Sequence, residues 1–242
     1  MKSIKFIFLF CSIFVFSQKK INNGKVVYDI SITGEIDKTK YSPEIYEMIN
    51  YYTTLVEKGE LIFNKNESVF NVIKRAINPD EPPLDTFYNF TKTKGTHYFN
   101  KETKEKLLGK ESFGQNIILD LSNEKITWNI TKESKIINGY QCFKAVANIL
   151  KIANLKKGAT NKVTAWFCPE IPINYGPLKY NGLPGLILEI ETNAIYKSKL
   201  VATEIIINDN SIKLKKELRG KKMSIEDFER IAQKIYSNRK PF

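Results

Sequence analysis

The 242-residue chain has one histidine, His97, and three cysteines, Cys11, Cys142 and Cys168. A transition-metal site built from imidazole and thiolate needs three or four such ligands close together, and the sequence does not supply them. Nor are Cys142 and Cys168 spaced as a redox CxxC pair. Any Ser-His or Cys-His nucleophile would have to run through His97, and no G-x-S-x-G elbow is present. His97 itself stands in Thr96-His97-Tyr98-Phe99, an expected strand, where a solvent-facing or hydrogen-bonded imidazole is the reading rather than a general base. No Lys-Ser/Thr pair follows a glycine-rich loop, so a P-loop is absent as well. No cofactor is called for.

Long apolar runs are equally scarce. The one example, residues 4–16, follows Met1-Lys2-Ser3 and ends before Ser17 and Gln18, the layout of a secretory leader with cleavage expected after Ser17. Domain organisation is accordingly read as a signal peptide over 1–17 and one β-rich domain over 18–242. The run is shorter than the roughly 20 residues of a spanning helix, and nothing later in the chain replaces it. Bulky Leu9 and Phe10 before Cys11 argue against a lipoprotein signal. No transmembrane span is expected once the leader is gone.

Acidic residues fall short of basic ones, 26 against 38, for a formal charge of +12 that becomes +10 when Lys2 and Lys5 leave with the leader. Such an excess favours anionic partners: acidic glycans, lipid headgroups or lipopolysaccharide. Nucleic acid is set aside, because export removes the chain from it and no recognition motif occurs.

Period-2 alternation of Val26, Tyr28, Ile30 and Ile32 predicts a first strand. Ser42 and Pro43 then open a helix over about 43–57, with Ile45, Ile49, Tyr52 and Val56 on one face. A hairpin turning at residues 64–67 follows, then the proline-rich stretch 78–85, expected as an exposed stiff loop. Further strands are expected near 95–100, 115–121 and 124–131. Ser224 caps a closing helix over 223–237 whose stripe is Ile225, Phe228, Ile231, Ala232 and Ile235.

Export into an oxidising compartment makes a Cys142–Cys168 disulfide the expectation. An antiparallel pair keeps the sum of facing residue numbers constant, and these cysteines set the same register that places Phe143 opposite Phe167, Ala145 opposite Ala165 and Ala147 opposite Val163. One face is then wholly apolar. The other carries Lys144, Trp166, Thr164 and Lys162, and a one-residue slip would mix the two. Beyond this hairpin, Leu183-Pro184-Gly185-Leu186 has the order of a type II turn and runs into alternating Leu186 to Glu191, so the motif is read as a corner rather than a ligand cradle.

Gly182-Leu183-Pro184-Gly185-Leu186-Ile187, with Gly139-Tyr140-Gln141-Cys142, Ala165-Trp166-Phe167, Pro169-Glu170-Ile171-Pro172 and Gly176-Pro177 around it, resembles the GLPGLI, or Porph_ging, family of exported Bacteroidota proteins. Cys168 stands where that family's pattern has a small hydroxyl residue. The resemblance implies a periplasmic, outer-membrane-surface or extracellular protein of undefined activity, with no catalytic or binding residues to carry over.

The fold class read from all this is α+β and mainly antiparallel β: a curved sheet or incomplete half-barrel with two or so packing helices. The first functional reading is a non-enzymatic binding or interaction module holding an apolar or anionic ligand (a lipid or an anionic glycan) or docking on an envelope protein partner. Two alternatives stay open: a carboxylate-based hydrolase of envelope glycans, with Glu170 and Glu189 as candidate acids, and a structural assembly component.

Overall fold

The computed structural model describes residues 20–76, 78–150, 160–193 and 196–237. The expected leader and its cleavage site at Ser17 and Gln18 lie outside the described residues. Strand β1 (Asn23–Thr33) buries Val26, Tyr28, Ile30 and Ile32 as its alternation predicts. Extended Ser42 and Pro43 then start α1 (Pro43–Thr54), which stops three residues early because Leu55 is already extended. Ile49 and Tyr52 are its buried residues, whereas Ile45 is 46% exposed and Val56 belongs to β2 (Val56–Asn64). Asn64 makes the hairpin turn by accepting from the Asn66 and Glu67 amides at 2.8 and 2.9 Å, and β3 (Glu67–Val72) returns.

The proline-rich stretch is not a free loop. Pro83 ends it by starting α2 (Leu84–Thr91), a helix the sequence reading missed, which buries Phe87 and Thr91. Arg75 ties the loop to the sheet by reaching buried Glu57 at 2.8 Å and Glu81 at 2.5 Å, and the Tyr52 hydroxyl donates to the Pro83 carbonyl at 2.9 Å. Next come β4 (Thr96–Asn100), an unforeseen β5 (Lys106–Ser112), and β6 (Gln115–Asp120). The strand expected over 124–131 begins later, as β7 (Asn129–Ile137). After it come β8 (Tyr140–Leu150), β9 (Thr160–Cys168), β10 (Leu186–Asn193) and β11 (Lys197–Ile207). A four-residue β12 (Lys221–Ser224) leads into α3 (Ile225–Ser237), capped by the Ser224 hydroxyl accepting from the Asp227 amide at 3.0 Å.

The twelve strands form one open sheet in the order β12-β6-β5-β4-β3-β2-β1-β11-β10-β9-β8-β7, and every pairing is antiparallel except β12 with β6. Laid flat, the ten spacings from β6 to β7 would span roughly 48 Å. The chain from Asp120 to Asn129 reaches at most ~32 Å, and must also travel the length of a strand, because ten antiparallel steps leave β6 and β7 pointing the same way. The sheet therefore has to curl. The expected incomplete barrel follows from the strand order together with the length of this bridge.

Curling turns one face inward, and most of that interior is already full. Tyr175, in the loop between β9 and β10, crosses it to sit 6.0 Å from Phe63 and 6.1 Å from Phe99, ring centre to ring centre, with its hydroxyl on the Lys65 carbonyl. Tyr28 packs edge-on to Phe70 and donates to the Ile187 carbonyl at 2.7 Å. Side chains of this size bring about 1.5–3 kcal/mol each when buried. The bridge between β6 and β7 closes over them, with the Trp128 indole donating to the Asn181 carbonyl at 2.9 Å. A separate cluster of Ile117, Leu119, Leu121 and Phe228 seats α3 at the β5–β6 end.

Candidate functional site

The cysteine-bearing hairpin has the register deduced from its sequence. Phe143 faces Phe167, Lys144 faces Trp166, Ala145 faces Ala165 and Ala147 faces Val163. Both thiols are fully buried, and Leu186 at the start of β10 pairs beside Cys168. They are free thiols here, and Cys142 donates to the Tyr140 carbonyl at 3.5 Å. Its neighbour Cys168, with burial, raises the Cys142 pKa far above the usual thiol range, while Cys142 in turn and the Ile171 and Glu170 amides lower that of Cys168.

The corner at Gly182-Leu183-Pro184-Gly185-Leu186-Ile187 turns by another route than a type II bend. The Gly185 amide donates to Leu183 two residues back at 2.8 Å, and the Leu186 amide reaches across to the Ile171 carbonyl at 3.0 Å. A Cβ on Gly185 would overlap the carbonyl of Cys168, so glycine is needed for backbone to lie on backbone. Beyond it the simple alternation fails. A bulge at Leu188 lets Ile187 face Phe167 and Ile190 face Ala165, both inward, while Glu189 faces Trp166 outward.

Outward, Glu189 is clasped by Lys135 at 2.8 Å and Lys199 at 3.4 Å, one lysine to each carboxylate oxygen. Lys135 also lies 4.3 Å over the Trp166 ring. Glu170 is exposed in the turn after β9. Of the two acids considered for hydrolysis, one is thus committed to cations and the other faces water.

The unforeseen chemistry lies at the β4–β6 end of the concave face. His97 is opposite core Phe70 on one side and Leu108 on the other, so its imidazole points inward. It is 5% exposed, and neither ring nitrogen has a hydrogen-bond partner. This overturns the expected solvent-facing or hydrogen-bonded imidazole. Burial, helped by the charges of Lys179 and Lys110, depresses its pKa to about 3. On β5, Lys106 and Lys110 flank Leu108 on that same inward face. Buried Lys106 donates to the Glu124 carbonyl at 3.1 Å, Lys179 pairs with the Glu124 carboxylate at 2.6 Å, and Lys110 sits 4.7 Å over the Phe228 ring. Desolvation lowers the pKa of Lys106, Lys110 and Lys92. Lys92, exposed at the end of α2, adds its charge to the field that Lys110 feels. Among the described residues no group of His, Cys, Asp and Glu is placed to hold a metal ion.

A family model described as a protein of unknown function (Porph_ging) matches residues 150–189. Residues 150–189 are similar to the Porph_ging family. It is the family whose motifs the sequence resembles, and the match takes in β9, the corner and the start of β10. No curated protein matches the chain. Among solved structures, "Structure of PNGF-II" in its P21 and C2 forms superposes with TM-scores of 0.50 and 0.51 at 15% identity, covering 88% of this chain. The chain corresponds to only 34% and 33% of those structures' lengths, and at that identity the likeness is one of fold. A β-barrel-like domain of unknown function (DUF1849) from Brucella abortus aligns at TM-score 0.38 and 9% identity, covering 78% of this chain and 99% of its own.

Lys106, Lys110 and Lys92 were not singled out from sequence. The available signal was Lys-Leu-Leu-Gly-Lys, whose two lysines share one face of any strand with a leucine between them. Two substitutions test this geometry. Gly185→Ala should cost about 2–4 kcal/mol and lower the Tm by roughly 10 °C, and an unchanged melting curve would rule out the backbone contact. His97→Phe keeps the ring's bulk without orphaned nitrogens, so stability at pH 7 should hold or rise by about 1 kcal/mol. The unfolded imidazole takes its proton near pH 6.5 and the folded one only near 3, so wild-type stability is lost as pH falls through that window. Urea unfolding against pH should show this extra loss in the wild type and not in His97→Phe. Superimposable profiles would contradict it.

Proposed function

We propose that the protein is an exported, non-enzymatic binding module of the cell envelope. In this reading the leader is removed at Ser17 and Gln18, and residues 18–242 form one domain in the periplasm, on the outer-membrane surface or outside the cell. The observation that carries it is the inward-facing pair Lys106 and Lys110 astride partly exposed Leu108, next to an imidazole without partners. Lysines on the inner face of a curled sheet are costly to desolvate, and a fold that needed only a core would place leucine or valine there. The ligand region is thereby put at the β4–β6 end, since aromatic side chains occupy the rest of the interior. In the oxidising compartment we infer that Cys142 and Cys168 join, a link across neighbouring strands that adds about 3 kcal/mol in the chain-entropy model.

A second reading, an assembly component that docks on an envelope protein, is favoured by one feature. Edge strand β7 exposes Ile130 and Ile136, at 49% and 61%. Native mass spectrometry of the exported chain separates the two. A small-molecule adduct lost on denaturation is the expected result, and an empty chain with a stable polypeptide companion would contradict binding in favour of assembly. Non-reduced peptide mapping of the same sample should give a single linked peptide containing Cys142 and Cys168. Separate thiol peptides would refute the link.

A further inference from the structure

We propose that the concave mouth over His97 receives an oxyanion, phosphate or carboxylate, borne on an apolar body, with Lys110 and Lys92 as cationic walls and the His97 imidazole as its hydrogen-bonding base. The proposal rests on the binding-module reading and names the chemistry of its ligand.

The charges at the mouth do not close on themselves. Lys110 feels the charges of Lys92 and Lys94, His97 feels those of Lys110 and Lys179, and Lys106 flanks the Leu108 that faces His97 from the side opposite Lys110. Two carboxylates approach this group, Asp85 at 2.6 Å from Lys94 and Glu124 at 2.6 Å from Lys179. Among the described residues neither Lys92 nor Lys110 has a carboxylate partner, and the undescribed residues contain no Asp or Glu to supply one. Lysines held this way repel one another and lose hydration, which a bound anion reverses on both counts.

His97 is the independent sign that something is missing. A buried polar side chain normally has a partner, and leaving it without one costs on the order of 1–3 kcal/mol. A neutral imidazole always has one N–H to donate, and an oxyanion drawn in by Lys110 would accept it. The ring nitrogens are closed to water in this structure, so the anion must displace protein atoms to reach them. The apolar part of the ligand follows from the floor. Leu108 is partly exposed, and it lies beside Leu119, Ile117 and Phe228. Those three are already buried, so Leu108 is the apolar surface that a bare ion would leave wet.

The test uses the full exported chain, stripped of co-purifying ligand and free of any histidine tag, so that His97 is the sole imidazole signal. Dodecyl phosphate, inorganic phosphate and dodecyltrimethylammonium are titrated by calorimetry and by NMR of the His97 ring. Expected are one dodecyl phosphate per chain, a moved His97 resonance, and no response to the cationic amphiphile. Inorganic phosphate binding as tightly as dodecyl phosphate, with the same resonance shift, would keep the oxyanion site but overturn the apolar body. Lys110→Met should weaken dodecyl phosphate about tenfold, the loss of one charge-assisted contact, with folding checked by circular dichroism. An unmoved His97 resonance, or equal affinity in Lys110→Met, would overturn the site. The wider reading would still stand if the exported chain carried another small molecule.

Discussion

The stretch of chain between β6 and β7 is too short for a flat sheet, and the rest of the molecule follows from that. Because residues 121–128 must join strands ten places apart, the sheet curls and an inside exists. Where the inside is deepest, the loop before β10 fills it with Tyr175, pressed on Phe63 and Phe99. Toward β6, α3 covers the sheet through Phe228, and the inward positions there include lysine. The aromatic core and the lysine-bearing strands are two ends of one curved face.

The corner at residues 182–187 serves the filled end. Its glycine, proline and leucine pattern has the look of a phosphate cradle, yet its amides go to Leu183 and Ile171 within the protein and Gly185 exists to let two backbones touch. The bulge that follows turns Ile187 and Ile190 into the core while Glu189 goes out to Lys135 and Lys199. What the motif fixes is the route by which β9 hands over to β10, and with it the placement of both cysteines.

How much of this could be read beforehand depended on whether one face of an element was buried and the other wet. For β8 and β9 that held, and matching Phe143 with Phe167 and Ala145 with Ala165 was enough to set the register. For β5 it did not. Leu107 packs outward under Leu214 and Leu218, while Leu108 faces inward between two lysines, so polarity no longer alternates with direction. Helix α2 was hidden because it is only eight residues long and follows three prolines. Strand β12 owes its place to backbone pairing with β6, with Met223 alone of its four residues packed on the α3 cluster. His97 shows the same limit. The pattern around it predicted a strand correctly, but which face was buried depended on β3, far away in sequence.

The curl itself can be measured. Nitroxides at Gln115 and Asn129, both exposed and at the leading ends of β6 and β7, would be placed in a chain whose native cysteines are replaced by alanine. Double electron–electron resonance should then give a distance below about 35 Å, within the reach of the bridge. A distribution centred near 48 Å or beyond, the span of ten strands laid flat, would contradict the curled sheet and the interior, mouth and ligand region built on it.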